Sequence, residues 1–265
     1  MNRIEKRFID LRANGQKGFV AYIGAGDPNL AATEALAIAL DEAGVDVLEL
    51  GVPFSDPLAD GLVNQLAAQR GLASGATPEA VLKAVAAIRK KTEVPIVLYI
   101  YFNLLHRRGL QAFIKDAAAA GVDGLLALDL PPEEADEYEA MMNTAGLCSI
   151  WLVAPTTPPD RIAEITSRGS GFIYYISREG VTGMQQTVSD SIAERTGLIR
   201  DTTDLPVAVG FGISNPEQAR QVAASSDAIV VGSAIVNRVA ELGDAPDMPG
   251  KVAEYVGGLV EAIRD

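Results

Sequence analysis

Residues 48–61 read LELGVPFSDPLADG and put three carboxylates, Glu49, Asp56 and Asp60, into a strand end and the turn-rich loop after it. A pair of carboxyls can run proton transfer when their surroundings hold them in different charge states. Glu49 follows Val47 and Leu48 and precedes Leu50; partial desolvation there raises a carboxyl pKa and favours the proton-donor form. Asp60 sits on the more polar loop, where it stays ionised and can stabilise a developing positive charge. Asp56, in Ser-Asp-Pro, has the alternative of bonding its own backbone as a turn former. A glutamate at a strand end is more often solvated or paired with a lysine, so the acids alone do not specify a reaction.

Three glycine-bearing turns supply a different chemistry. GFGIS (210–214), followed by NPEQ, and VGSAIV (231–236) each feed a helix whose first N–H groups lack partners, an arrangement that binds phosphate. Gly212, Gly232 and Ser233 are the candidate donors. A chain with a formal net charge of −13 needs such local donors to hold a dianion, because its overall field opposes one. REGVTGMQQT (178–187) adds Gly180 and Gly183 in a polar stretch that reads as a mobile lid. Each turn by itself is equally an ordinary helix start; their succession after three consecutive strands favours the cradle. Tyr22, Tyr99, Tyr101, Tyr174, Tyr175 and Phe211 lie near strand ends, where they either pack in the core or form flat apolar walls for a ring. Cys148, the single cysteine, lies in LCSIWLV and reads as a buried structural thiol. His106, the single histidine, reads as a surface residue at a helix start, and no cluster of His, Cys and carboxylate suggests a metal.

These residues need a scaffold that gathers strand ends. Short runs rich in Val, Ile and Leu alternate with longer amphipathic segments along the whole chain. GFVAYI (18–23), DVLEL (46–50), PIVLYI (95–100), GLLALD (124–129), LCSIWLV (147–153), GFIYYI (171–176), PVAVG (206–210) and AIVVG (228–232) read as strands. Between them lie helix patterns such as LAATEALAIALDEAG, TPEAVLKAVAAIRKKT, GLQAFIKDAAAAG, PEEADEYEAMMNTAG and PEQARQVAASS, several opening on Pro or after Thr or Asn and closing on Gly. About eight such units over about 250 residues predict a closed (β/α)8 barrel, with a doubly wound open sheet as the alternative. In a barrel the chemistry collects in the loops after strand C-termini, which is where Glu49 and Asp60 fall. No linker or charge block divides the chain, so residues 1–265 read as a single domain, and 48% hydrophobic with 22% charged residues can bury a full core. The negative charge disfavours nucleic acid and anionic membranes. The sequence shows neither a signal peptide nor a membrane span, which predicts a cytoplasmic location.

LELGVPFSDPLADG, AGDP (25–28), DLPPEEA (129–135), LVAPTTPPDRI (152–162), SREGVTG (177–183), GFGIS and VGSAIV together resemble, in order and spacing, the tryptophan synthase alpha subunit family over essentially the whole chain. The resemblance implies a TIM barrel with an extra N-terminal helix that cleaves indole-3-glycerol phosphate into indole and glyceraldehyde 3-phosphate. It implies no cofactor on this chain and a beta-subunit partner, carrying pyridoxal phosphate (PLP) and consuming the indole in an alpha2beta2 complex. It further implies that Glu49 protonates indole C3 and later accepts the side-chain hydroxyl proton, that Asp60 holds the ring N–H, and that Thr182 of the lid closes on Asp60. By the same resemblance Tyr22, Tyr174 and Phe211 line the indole pocket and Tyr101 lies near the glycerol chain. Gly183, Gly212, Gly232 and Ser233 would hold the phosphate, and Pro53, Asp56 and Pro57 would meet the partner. The chain departs from the family pattern at Gly24, Leu62, Asn64 and Leu104, where Thr, Pro, an apolar residue and Pro are usual. Leu62 puts the stiffness of the loop in question, and Asn64 the apolar packing of the ring. Two other readings stay open: a barrel kept mainly to activate a beta subunit, which would not need both acids, and another phosphate-binding barrel such as a sugar-phosphate isomerase, which leaves PFSDPLADG unexplained.

Overall fold

The computed structural model describes residues 1–176 and 185–264. Within them the strands are β1 (Gly18–Gly24), β2 (Val47–Gly51), β3 (Ile96–Ile100), β4 (Gly124–Ala127), β5 (Cys148–Ser149), β6 (Trp151–Val153), β7 (Ile173–Ile176), β8 (Val207–Gly210) and β9 (Ala228–Val231). The helices are α1 (Arg3–Ala13), α2 (Leu30–Glu42), α3 (Leu62–Ala73), α4 (Pro78–Arg89), α5 (Phe102–Arg108), α6 (Leu110–Ala120), α7 (Asp136–Ala145), α8 (Pro159–Arg168), α9 (Gln185–Arg200), α10 (Pro216–Ala224), α11 (Ser233–Leu242) and α12 (Met248–Ala262), with a 3-10 turn at Pro132–Glu134. Pro stands in the first turn of α4, α8 and α10, and Asn or Thr side chains cap α1, α2, α4 and α10. His106 lies in the last turn of α5, not at a helix start, and is exposed.

All strand pairs are parallel, in the order β5-β4-β3-β2-β1-β9-β8-β7-β6. LCSIWLV, read as one strand, is two: β5 pairs with β4 and β6 pairs with β7, and Ile150 between them donates its N–H to Leu125 O at 3.0 Å. The chain itself thus joins the two ends of the sheet. The nine segments fill the eight positions of a nearly closed barrel, and the open-sheet alternative falls. The split follows from the stagger that closure imposes, since each half of this run meets a different neighbour.

Both faces of the strands are apolar but they serve different layers. Val20, Val47, Val97, Leu126, Cys148, Phe172, Ala208 and Val230 pack into the barrel interior, while Phe19, Leu48, Leu50, Ile96, Leu98 and Val209 pack against the helices. Ile4, Phe8 and Leu11 of α1 close the floor of the barrel, with Phe8 tilted against Phe172 at 5.6 Å. Asp46, Asp123 and Asp227 reinforce that floor. Each accepts the N–H of a residue on or next to a neighbouring strand, from Phe19 at 2.8 Å, Ile96 at 2.8 Å and Val207 at 2.9 Å. Two of the three end identical Ala-Gly-Val-Asp tetrapeptides, 43–46 and 120–123. The stable floor leaves the opposite rim, where the strands end, free to carry chemistry.

Candidate active site

Glu49 points into the barrel because it shares a face of β2 with Val47, while Leu48 and Leu50 face the helices. Its register neighbours are Tyr22 on β1 and Val97 on β3. The residue is 1% exposed and its Oε1 is buried with no hydrogen-bond partner among the described residues. Burial pushes its pKa up to about 8, and the charge of Asp60 pushes in the same direction. The other carboxylates buried to this degree among the described residues are all paired: Asp27 with Arg70, Asp46 with Arg7 and Arg264, Asp123 with Arg3 and Arg89. Glu49 is therefore more desolvated than the sequence suggested, and at neutral pH it holds a proton.

After β2 the chain turns through residues 52–61 and enters α3, so the loop ends at Gly61 and Leu62 is the first helical residue. Close packing fixes this helix over β1. A Cβ on Gly71 would fall 2.6 Å from Ala25 O and 3.0 Å from Pro53 Cγ, and one on Gly24 would fall 3.3 Å from Ala67 Cβ. Gly24 is thus the small residue that α3 packs against. Arg70 grips Asp27 with two bonds of 2.7 Å, and Ser74 Oγ donates to Gly26 O at 2.8 Å.

Asp60, half-buried in front of α3, is held from β3. Tyr99 donates to its Oδ1 at 2.8 Å and Tyr101 to its Oδ2 at 2.9 Å, while the Tyr101 oxygen also accepts from Ala59 N at 3.0 Å. Burial and the Asp60 charge raise both phenol pKa values, so both keep their protons as donors. Tyr99 also meets Tyr22 edge-on, with ring centroids 5.1 Å apart. From the sequence Tyr99 reads either as core packing or as an aromatic wall. Its role as a donor was not legible, although Tyr99 and Tyr101 stand two apart at the end of one strand and so share a face.

Tyr22 and Tyr174 are both buried, and the charges of Glu49 and Asp60 both act on their phenols. Glycines make room for them: a Cβ on Gly51 would lie 2.3 Å from the Tyr22 oxygen, and one on Gly210 would lie 2.9 Å from the Tyr174 oxygen. Phe211, by contrast, packs with the outer cluster between strands and helices, apart from the clusters that hold Tyr22 and Tyr174. Gly232 precedes α11, whose first turn is capped by no side chain, and Ser233 is its first residue. Tyr22 lies directly below, 3.4 Å from the place of a Gly232 Cβ, and also packs with Val236. Gly212 is in the left-handed region at φ 64°, with open space around its missing Cβ. Thr182 and Gly183 lie outside the described residues.

The expected partner-contact residues separate. Pro53 is buried beneath α3 and unavailable to a partner in this chain, Pro57 is half-buried and Asp56 is exposed. Asp56 accepts the Ser55 hydroxyl at 2.5 Å, and it is its backbone carbonyl, not its side chain, that closes a turn on Leu58 N. Two departures have local effects: Leu104 N donates to Tyr101 O at 3.0 Å, a bond proline cannot make, and Asn64 buries an Oδ1 with no partner among the described residues. Among the described residues no group of His, Cys and acids could hold a metal.

A buried, proton-bearing glutamate thus faces tyrosine rings, with Asp60 held by two phenols beside it. The sequence pattern of the family described as tryptophan synthase alpha chain matches residues 8–263. The chain belongs to that family. The tryptophan synthase alpha chain of Opitutus terrae is 54% identical over the full length of both chains, and that of Citrifermentans bemidjiense 48% identical over 100% of this chain and 97% of the relative. Among solved structures, the alpha subunit of Legionella pneumophila superposes with a TM-score of 0.92 at 38% identity, covering 99% of this chain and 98% of the other. Tryptophan synthase of Mycobacterium tuberculosis superposes with a TM-score of 0.90 at 33% identity, covering 100% and 99%. This alpha chain is a lyase that cleaves indole-3-glycerol phosphate in tryptophan biosynthesis, and a beta subunit is its partner. No helix among the described residues is long and apolar enough to cross a membrane.

Proposed function

We propose that Glu49 and Asp60 divide the cleavage between them. Protonated Glu49 delivers its proton to indole C3, and the ionised Asp60 accepts the ring N–H and stabilises the cationic ring that results. The Glu49 carboxylate then takes the proton of the adjacent side-chain hydroxyl. The bond from C3 to the side chain breaks, its electrons restore the indole, and the hydroxyl carbon becomes the aldehyde of glyceraldehyde 3-phosphate. The observation that carries this reading is the buried, unpartnered Oε1 of Glu49 with its pKa near 8. Tyr22 and Tyr174 wall the ring, Tyr101 and Tyr99 orient Asp60, and the uncapped start of α11 at Gly232 and Ser233, with Gly212, takes the phosphate. Phe211, Gly183 and Thr182 join the site by resemblance alone.

The chain carries no cofactor of its own and works in the cytoplasm in an alpha2beta2 complex, with PLP on the beta subunit. The face offered to that partner contains Asp56 and Pro57 with Leu58, Leu62 and Leu66, of which Leu58 is 91% and Leu62 69% exposed. Large apolar side chains this exposed beside a catalytic loop are suited to burial by a partner. The test of the mechanism is indole release from indole-3-glycerol phosphate by wild type and Glu49→Gln, with and without beta subunit. The amide keeps the shape but moves no proton, so activity falls by about 10² or more in both states; retention of more than about a tenth would remove Glu49 from the role of acid.

A further inference from the structure

The two turns assigned to the phosphate come from different elements, and one side chain on a third element touches the supports of both. Tyr255, half-buried on α12, donates its phenol to Ser214 O at 2.8 Å. Ser214 closes the GFGIS turn, and its N–H and hydroxyl both go to Gln218 Oε1, at 2.9 and 3.1 Å. Gln218 is in turn fixed by its own N–H on the Asn215 side chain at 3.0 Å, in the first turn of α10. The segment after Gly212 is therefore tied at its carbonyl by α12 and at its amide by α10, while Ile213 is buried beneath it. On the face of the Tyr255 ring lies the guanidinium of Arg238, 3.7 Å from the centroid. Arg238 belongs to α11, the helix that begins at Ser233.

We infer that Tyr255 is a positioning residue for phosphate binding, holding the Gly212 turn and the start of α11 at a fixed spacing through Ser214 and Arg238. The inference rests on the reading that the phosphate sits between these two turns. Backbone N–H groups bind a dianion well only when their separation is set beforehand, because neither turn has a long side chain that could follow the ligand. A phenol bonded to one turn and stacked under an arginine of the helix that the other turn opens sets it.

The experiment measures the KM and kcat for indole-3-glycerol phosphate, the KM for its dephosphorylated analogue indole-glycerol, and the Kd for inorganic phosphate. The chains compared are wild type, Tyr255→Phe, Tyr255→Leu and Ser233→Asp, each with beta subunit present. Tyr255→Phe keeps the ring under Arg238 and loses the phenol oxygen, with its bond to Ser214 O and its hydrogen bond with the Arg238 side chain. It raises the KM for the phosphate ester and the Kd for phosphate by about three- to tenfold, with kcat changed by less than about twofold and the KM for indole-glycerol unchanged. Tyr255→Leu, which also loses the stack, raises them further. Wild-type values in Tyr255→Phe, or a lower kcat at unchanged KM, would overturn the role of Tyr255 while leaving the phosphate site in place if Ser233→Asp still weakens phosphate. Wild-type phosphate binding in Ser233→Asp would instead refute the phosphate site itself. An equal rise in the KM for indole-glycerol would make Tyr255 a general packing residue and overturn the inference as well.

Discussion

Three acids are buried beside arginines, Asp27, Asp46 and Asp123, and a fourth, Glu49, is buried without one. The paired acids hold loops and strands together. Glu49 has an Oε1 with no hydrogen-bond partner among the described residues, and its burial works against stability. Folded Glu49 keeps its proton up to about pH 8, whereas the ordinary value is 4.5. Between those values the folded chain binds more protons than the unfolded one, so this residue removes stability as pH rises through that window, and Glu49→Gln is spared the loss. A cost of that kind persists where function needs it. Asp60 has the opposite surroundings, with a phenol on each oxygen. Tyr99→Phe keeps the edge contact with Tyr22 and removes one donor from the carboxylate. Its kcat falls by about tenfold, and it falls no further in an Asp60→Asn background, because the lost bond acts only through Asp60. Steady-state indole release in the four chains of that cycle checks this, and an equal loss in both backgrounds would assign the effect to ring packing. The acids themselves were legible because a carboxylate at an apolar strand end is conspicuous. The donors to Asp60 were not, since Tyr99 and Tyr101 lie 39 and 41 residues away from it.

At the scale of elements, the decisive piece is α3, which anchors the loop that carries Asp60. Its inward residues are small, with Ala67 and Gly71 both buried, so it lies close on β1 but shows no strong apolar stripe. That is why Leu62 reads from the sequence as part of the loop. The seven strands outside LCSIWLV were legible because both of their faces are apolar, as a covered parallel sheet demands. The division of LCSIWLV was hidden, because stagger is set by the closure of the whole sheet and no local pattern records it. Gly71→Ala puts a methyl 2.6 Å from Ala25 O and 3.0 Å from the Pro53 ring. It lowers unfolding stability by about 1–3 kcal/mol in urea titration and reduces kcat as α3 shifts with its loop. Unchanged stability together with unchanged kcat would show that α3 does not set the position of Asp60.

At the scale of the molecule, the floor of the barrel is closed by α1 and paired aspartates, and the rim carries the acids, the tyrosines and an exposed apolar edge. The edge is formed by Leu58, in the loop that carries Asp60, and by Leu62 and Leu66 on α3, which follows it. Replacing Leu58 and Leu66 together by Ser weakens binding of the beta subunit by about tenfold or more, while indole release by the uncomplexed chain stays at the wild-type level. Titration of each chain with beta subunit, read as gain in indole release, measures both quantities. Wild-type affinity in the double variant would place the interface elsewhere. The barrel was legible from the succession of strands and helices, and the family from the order of its motifs. The arrangement of the rim was not, because it brings together residues from β1, β2, β3, β7 and α11, which only the closed sheet makes neighbours.

The fold keeps Glu49 protonated at neutral pH by burying it beside the charge of Asp60 and away from the arginines that pair the other buried acids. The direct measurement is a pH titration of side-chain carboxyl carbons in 13C-glutamate-labelled protein, with the Glu49 signal identified by its absence in Glu49→Gln. A midpoint near 8 is the predicted result. A midpoint near the ordinary 4.5 would remove Glu49 from the role of acid, since it would then be ionised at neutral pH with no proton to give.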